Sequence, residues 1–297
     1  MSLVSIVRIK QGNFEEAITE SLRLIQYSFR NDIHDVVIKP NLCYYLDYST
    51  GYTTDPHFVA SLANVLRKQI SSDLKIHIVE SDASAMKCKH AFRLLGYEKM
   101  AQDSNLTLSN LSEDKSCVVD TNVNGHSYSF RMPSTIQNAD LLINVPKIKY
   151  TISSVKISGA MKNIFGCNPY PHKYKYHSRL NEVIVALNKV MKFNLCILDG
   201  NVVLGDGTRK LGLVMTSEDN VAIDAACAKI VGYSPRRVKF LSTAAKEKIG
   251  QTSFQTVGVP LDYFCKRFPR RSLSTLVKSQ AFYYATKLGL DKKLGIG

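Results

Sequence analysis

The 297-residue sequence has no tryptophan, no Cys-x-x-Cys pair, no glycine-rich phosphate loop and no apolar run long enough to span a bilayer. Each of the last three gaps closes a class of function. The seven cysteines (Cys43, Cys88, Cys117, Cys167, Cys196, Cys227 and Cys265) are scattered and odd in number, which argues against a disulfide framework, a zinc ribbon or an iron–sulfur cluster. Cys196 and Cys227 stand in apolar runs and read as core residues. A bilayer span needs roughly 18 to 20 consecutive apolar residues, and none occurs. The opening Met1–Arg8 stretch is too short for a secretory core and reads as a first strand, so a reducing cytoplasm is the expected location. Neither Gly-x-x-x-x-Gly-Lys-Ser/Thr nor a convincing Gly-x-Gly-x-x-Gly is present, which leaves the common nucleotide-binding folds without support.

Acid is the other scarcity. Asp and Glu number 25 against 39 Lys and Arg, a formal charge of +14. Such an excess favours anionic partners: phosphorylated small molecules, nucleic acid or an acidic membrane surface. About half of it lies between Lys266 and Lys293, where eight Lys and Arg face one acid, Asp291. Phe268, Leu273, Leu276, Phe282, Tyr283 and Leu288 are interspersed there, a pattern open to a solvated tail or to contact with an anionic membrane.

What is present alternates between strand and helix periods. Val4–Arg8, Val36–Ile38, Lys75–Val79, Leu141–Val145, Leu195–Leu198 and Leu211–Thr216 are expected strands. Consecutive apolar residues in several of them point to strands buried on both faces. Asn13, Asp55 with Pro56, and Asp219 are expected helix caps, and Gly96 and Gly232 expected helix stops. A helix is expected from Ser84 to Leu95 and another from His177 to Phe193, while Asn124-Gly125 marks a hairpin turn. The fold class that follows is α/β, a mostly parallel doubly wound sheet with two possible lobes (residues 1–150 and 151–260) and a basic helical C-terminal tail over 261–297.

Ligands of such sheets gather at the carboxyl ends of the strands. Four polar clusters stand there. Lys39-Pro40-Asn41 sets an ammonium and an amide on a Pro-fixed bend, fit for an anion or for a plain turn. Glu80-Ser81-Asp82 fits a metal, a ribose or a helix cap. The third cluster gathers Asn144, Lys147, Lys149, Lys156, Lys162 and Asn163 among small residues that permit close approach, a set suited to a phosphate or carboxylate or to a lysine of lowered pKa. His177, after a Tyr/Lys/His-rich loop, is either an acid–base group or the cap of the next helix. The fourth cluster places Asp199 and Asp206 seven residues apart, as ligands of a divalent cation or as turn residues.

These segments resemble the domain-of-unknown-function 362 family. The resemblance rests on Val37-Ile-Lys-Pro-Asn-Leu42, Thr54-Asp-Pro56, Ile78-Val-Glu-Ser81, Ala139-Asp-Leu-Leu-Ile-Asn-Val-Pro-Lys-Ile-Lys149 and Met161-Lys-Asn-Ile-Phe-Gly166. Leu198-Asp-Gly200, Gly205-Asp-Gly207 and Asn220-Val-Ala-Ile-Asp224 extend it over roughly residues 1 to 260. Members with an added ferredoxin-like segment carry cysteines that this chain lacks, and where many relatives have a His after the second Lys of Pro-Lys-x-Lys, this chain reads Tyr150-Thr151. The order of parts is also similar to that of lactate racemase, an analogy of element order.

The function expected from the residues is an enzyme on an anionic small molecule, phosphorylated or carboxylated. Lys39, Asn41, Lys147, Lys149, Lys156 and Asn163 are the expected binding residues and Lys162 and His177 the expected catalytic ones. A nucleic-acid-binding role is the alternative, using Arg131, Lys173 and Lys175 with Tyr170, Tyr174 and Tyr176, and a membrane-peripheral role through the tail stands beside it.

Overall fold

A computed structural model of the chain describes residues 1–151 and 155–270. The expected basic tail lies mostly outside the described residues. Among those described, no helix is long and apolar enough to cross a membrane.

The chain opens with β1 (Ser2–Arg8), α1 (Phe14–Leu24), β2 (Asp35–Pro40), α2 (Pro56–Gln69) and β3 (Lys75–Glu80). Next come α3 (Cys88–Leu94), α4 (Tyr97–Asp103), β4 (Thr107–Asn110), the hairpin β5 (Ser116–Val123) and β6 (His126–Pro133), and α5 (Ser134–Gln137). The middle of the chain gives β7 (Leu141–Val145), β8 (Lys147–Tyr150), β9 (Ile157–Ser158), α6 (Ala160–Ile164) and α7 (Leu180–Val190). It ends with β10 (Leu195–Leu204), β11 (Thr208–Ser217), α8 (Asn220–Val231), α9 (Lys239–Lys246), β12 (Phe254–Gly258) and α10 (Leu261–Cys265).

Ten strands form one sheet with the order β12-β1-β11-β10-β7-β2-β3-β4, and β8 and β9 extend it beside β10. The run from β10 through β7, β2 and β3 to β4 is parallel, while β11 is antiparallel to both β10 and β1. β7 and β10 pair across residue 150, so one sheet joins the two expected lobes. Both faces are covered, as the apolar runs require. Ile18, Phe58, Leu62 and Tyr97 pack on one side, and Ile184, Leu187, Ile223 and Phe240 on the other. The sheet is thus doubly wound and mostly parallel.

Local chemistry explains the boundaries. Asn13 Oδ1 accepts from Glu16 N–H and Asp55 Oδ1 from His57 N–H, which starts α1 and α2 as expected. Asn124 and Gly125 take φ of 51° and 79° and turn the β5–β6 hairpin. α3 starts later than expected, at Cys88, because residues 83–86 form a turn and Asp82 Oδ1 accepts from Cys88 N–H across it. The helix expected from His177 begins at Leu180 after a 3-10 segment over Lys173–Arg179. β10 does not stop at Asp199-Gly200; it bulges there and continues to Leu204 because β8 and β11 flank it. Gly205–Gly207 is therefore the connection of a long hairpin.

α8 is buried almost all round, as a helix seated between sheet and outer helices must be. Its cap, Asp219, accepts from Val221 and Ala222 N–H and also from Ser2 Oγ and Gln251 N–H. Asp219→Ala removes all four acceptor contacts and is expected to cost at least about 1 kcal/mol. In denaturant titrations the midpoint should fall with an unchanged slope, and Asp219→Asn should recover most of the loss. An unshifted midpoint in Asp219→Ala would contradict this role.

Candidate functional site

The chain reverses direction across the sheet between β2 and β7. From β2 it moves outward to β3 and β4, then returns to place β7 on the other side of β2. Crevices of open α/β sheets lie at such a reversal. Here a cleft of about 210 Å³ opens at the carboxyl ends of β2 and β3, lined among others by Lys39, Asn41, Glu80, Lys149, Lys162 and Lys173.

The innermost contact is an ion pair. Lys39 Nζ donates to Glu80 Oε2 at 2.8 Å and to the Pro40 carbonyl at 2.7 Å, with Lys39 0% and Glu80 3% exposed. Glu80 Oε1 accepts from Ser81 N–H. Gly166 packs directly over this pair, and a β-carbon there would meet Glu80 Oε1 and Lys39 Nζ at 2.8 and 2.9 Å. The glycine is a steric requirement of the pair.

A chain of asparagine amides runs beside it. Asn41 Nδ2 donates to Asn163 Oδ1, Asn163 Nδ2 to Asn144 Oδ1 and to the Lys39 carbonyl, and Asn144 Nδ2 to Asn220 Oδ1 and the Ala160 carbonyl. Both Asn163 amide hydrogens are thereby used. Buried amides of this kind hold their geometry because every unmade bond is costly. α6, which carries Lys162 and Asn163, is fixed from below by Asp224, whose carboxylate accepts from Ala160 and Met161 N–H at 2.6 and 2.9 Å. Burial pushes Asp224 up to about 7. Gly159 leaves the room that this carboxylate occupies.

Three further ammonium groups reach the cleft. Lys149 Nζ donates to Asn41 Oδ1 (2.6 Å) and the Tyr52 carbonyl (2.7 Å) and lies over the Tyr52 ring. Burial, with Lys162 and Lys147 nearby, lowers it to about 8. Lys173 Nζ donates to Ser81 Oγ at 2.6 Å, and burial beside Lys39 lowers it to about 8 as well. Lys162 is half-buried, lowered by burial, and has no hydrogen-bond or carboxylate partner among the described residues. Among the described residues none of the three meets a carboxylate in a salt bridge, and Glu80 is taken by Lys39. His177 lines the same cleft, lowered by its burial and by Lys162, and makes no side-chain cap at α7. Both effects favour the neutral imidazole.

The structure therefore brings together Lys39, Asn41, Lys149, Lys162, Asn163 and His177 of the expected set. It separates the others. Lys147, 1% exposed, is consumed by an ion pair with Asp199 at 3.0 Å. Asp199 also accepts from Asp55 and Asn201 N–H. Asp55, beside it, is raised to about 6 by burial. Asp206 sits exposed at the β10–β11 connection, so the two expected cation ligands do not converge. Among the described residues no group of three or more His, Cys, Asp or Glu is placed to hold a metal ion. Lys156 turns away as well: it donates to the Arg237 carbonyl and lies over Tyr233. Lys173, Cys43, Tyr44 and Tyr174 line the cleft without having been singled out for it. The signal for Lys173 and Tyr174 was the Tyr/Lys/His-rich loop before His177.

The family model described as Domain of unknown function (DUF362) matches residues 36–229, which hold every cleft residue named above. No curated protein matches the chain. Among solved structures the chain is similar to the lactate racemase apoprotein from Thermoanaerobacterium thermosaccharolyticum, with a TM-score of 0.50 at 11% identity. The match covers 78% of this chain and 57% of that one. At that identity the likeness shows the fold alone.

Breaking a buried pair strands a charge, which costs about 3–5 kcal/mol. Glu80→Gln is expected to lose stability on that scale in denaturant titrations, and Glu80→Gln with Lys39→Met to regain most of it. A loss below about 1 kcal/mol in the single variant would contradict the pair's structural role.

Proposed function

The chain belongs to the DUF362 family, and we propose that this member is an enzyme acting on a phosphorylated or carboxylated small molecule held in the lysine cleft. One observation carries the reading: Lys149, Lys162 and Lys173 line a single cleft, and no salt bridge to a carboxylate is found for any of them among the described residues. Removing an ammonium group from water is costly unless a counter-charge follows it. A bound anion supplies that charge for all three.

The roles follow from placement. Lys149, Lys162 and Lys173 bind the anion. Lys39 is a positioning residue that holds Glu80, and Asn41 and Asn163 aim Lys149 and α6 instead of contacting the ligand first. His177, whose neutral form is favoured by burial and by Lys162, accepts a proton from the bound molecule, and the Lys162 ammonium stabilises the charge that forms. Asp199 has no part in this reading, because its carboxylate pairs with Lys147.

The test is a thermal-shift screen of the purified chain at low salt against phosphate- and carboxylate-bearing metabolites, with Lys162→Ala and Lys149→Met alongside. A ligand at a hundred times its Kd adds about 2.7 kcal/mol, a shift of several degrees at this size. The shift should vanish in both variants. It should also shrink as pH rises through about 8, where Lys149 and Lys173 lose the protons that an anion favours. Absence of any stabilising anion, or equal stabilisation of wild type and variants, would overturn the reading.

A further inference from the structure

The mouth of the cleft differs in chemistry from its floor. Lysine nitrogens form the floor, while the rim carries two of the most exposed aromatic side chains among the described residues, Tyr44 (51%) and Tyr174 (62%). Neither ring is there to fill the core, and no described group hydrogen-bonds to either hydroxyl. Tyr45 makes the contrast: its hydroxyl accepts from Lys87 N–H at 2.9 Å and is fixed by it.

Both rim residues are held in place. Tyr44 has φ +55°, the left-handed region that disfavours any side chain with a β-carbon. It lies in the turn closed by Leu46 N–H on the Cys43 carbonyl, which keeps Tyr44 beside the cleft. Backbone strain of this sort persists where surroundings over-determine it and clusters at ligand-contacting segments. Tyr174 sits in the 3-10 segment that also delivers Lys173 and His177, with its ring edge-on to His177 at 4.9 Å. Phe165 adds a third ring to the wall, 6.0 Å from Lys173 Nζ.

From this we infer that the molecule bound here carries a planar aromatic ring as well as its anionic group, the ring lying against Tyr44 and Tyr174 and the anion reaching Lys149, Lys162 and Lys173. The inference rests on the anion reading of the same cleft and adds the second half of the ligand. Exposed aromatic faces stack on planar rings whatever their heteroatoms, and one such contact strengthens binding about ten- to hundredfold.

Matched pairs of ligands isolate the ring. Isothermal titration of the full chain compares adenosine monophosphate with ribose 5-phosphate, and phenyl phosphate with glycerol 3-phosphate. The ring-bearing member should bind at least about tenfold tighter in wild type. That ratio should fall towards one in Tyr44→Ala with Tyr174→Ala, and survive in Tyr174→Phe, which keeps the face and loses the hydroxyl. A preference in the adenosine pair alone supports a ring and assigns it to a nucleobase; a preference in both assigns it to aromatic faces in general. Equal affinities within both pairs, or a ratio unchanged by the double substitution, would overturn the inference. If ring-free phosphates still bind and lose that binding in Lys162→Ala, the anion reading survives its failure. If none of the four ligands binds, both fall together.

Discussion

Four ammonium groups meet at the carboxyl ends of parallel strands, and among the described residues one carboxylate pairs with them, Glu80. That imbalance governs the centre of the molecule. Lys39 takes the carboxylate, so its charge is settled internally and it serves as a strut. Gly166 must lack a side chain because the pair fills the space, and Ser81 must sit where Lys173 can donate to it. The asparagine chain from Asn41 through Asn163 to Asn144 and Asn220 does for the neutral groups what Glu80 does for Lys39: it leaves each buried amide with a partner and a fixed direction. Lys149, Lys162 and Lys173 remain, held in position and short of counter-charge.

Asp199 shows how the same principle closes a site. It stands beside the bulge within β10, opposite Lys147, and the pair is 1% and 0% exposed. A carboxylate there fits a cation, and it has one, the ammonium of Lys147. Along β8, Lys147 and Lys149 are two residues apart and share a face, as strand geometry demands. Their fates differ because a bulge in β10 shifts the register between Asp199 and Leu204, which leaves Lys149 to Asn41 and Tyr52. One lysine is paired with a carboxylate and its neighbour with neutral acceptors.

Most of the sheet was legible in the sequence because its strands are runs of consecutive apolar residues and its helices announce themselves with caps at Asn13, Asp55 and Asp219. The ends of β10 and of the helix after His177 were not, since both depend on partners distant in the chain: β8 and β11 for the first, the loop over the cleft for the second. The polar clusters were legible as clusters: Lys39 and Asn41 of the first, Lys149, Lys162 and Asn163 of the third, and His177 line one cleft. Their internal pairing was not, because Lys147 with Asp199 is separated by 52 residues and Lys39 with Glu80 by 41. Lysine spacing reports which groups share a region; only the fold reports which are already neutralised.

The central claim is that lysines of this cleft are buried without counter-charge and are completed by an anion. Side-chain NMR titration of the lysine methylene carbons, with and without inorganic phosphate, tests it most directly. Lys149 and Lys173 should titrate near 8, far below the ordinary 10.5, and phosphate should raise both. Ordinary titration of both residues, or midpoints that phosphate leaves unmoved, would contradict the account.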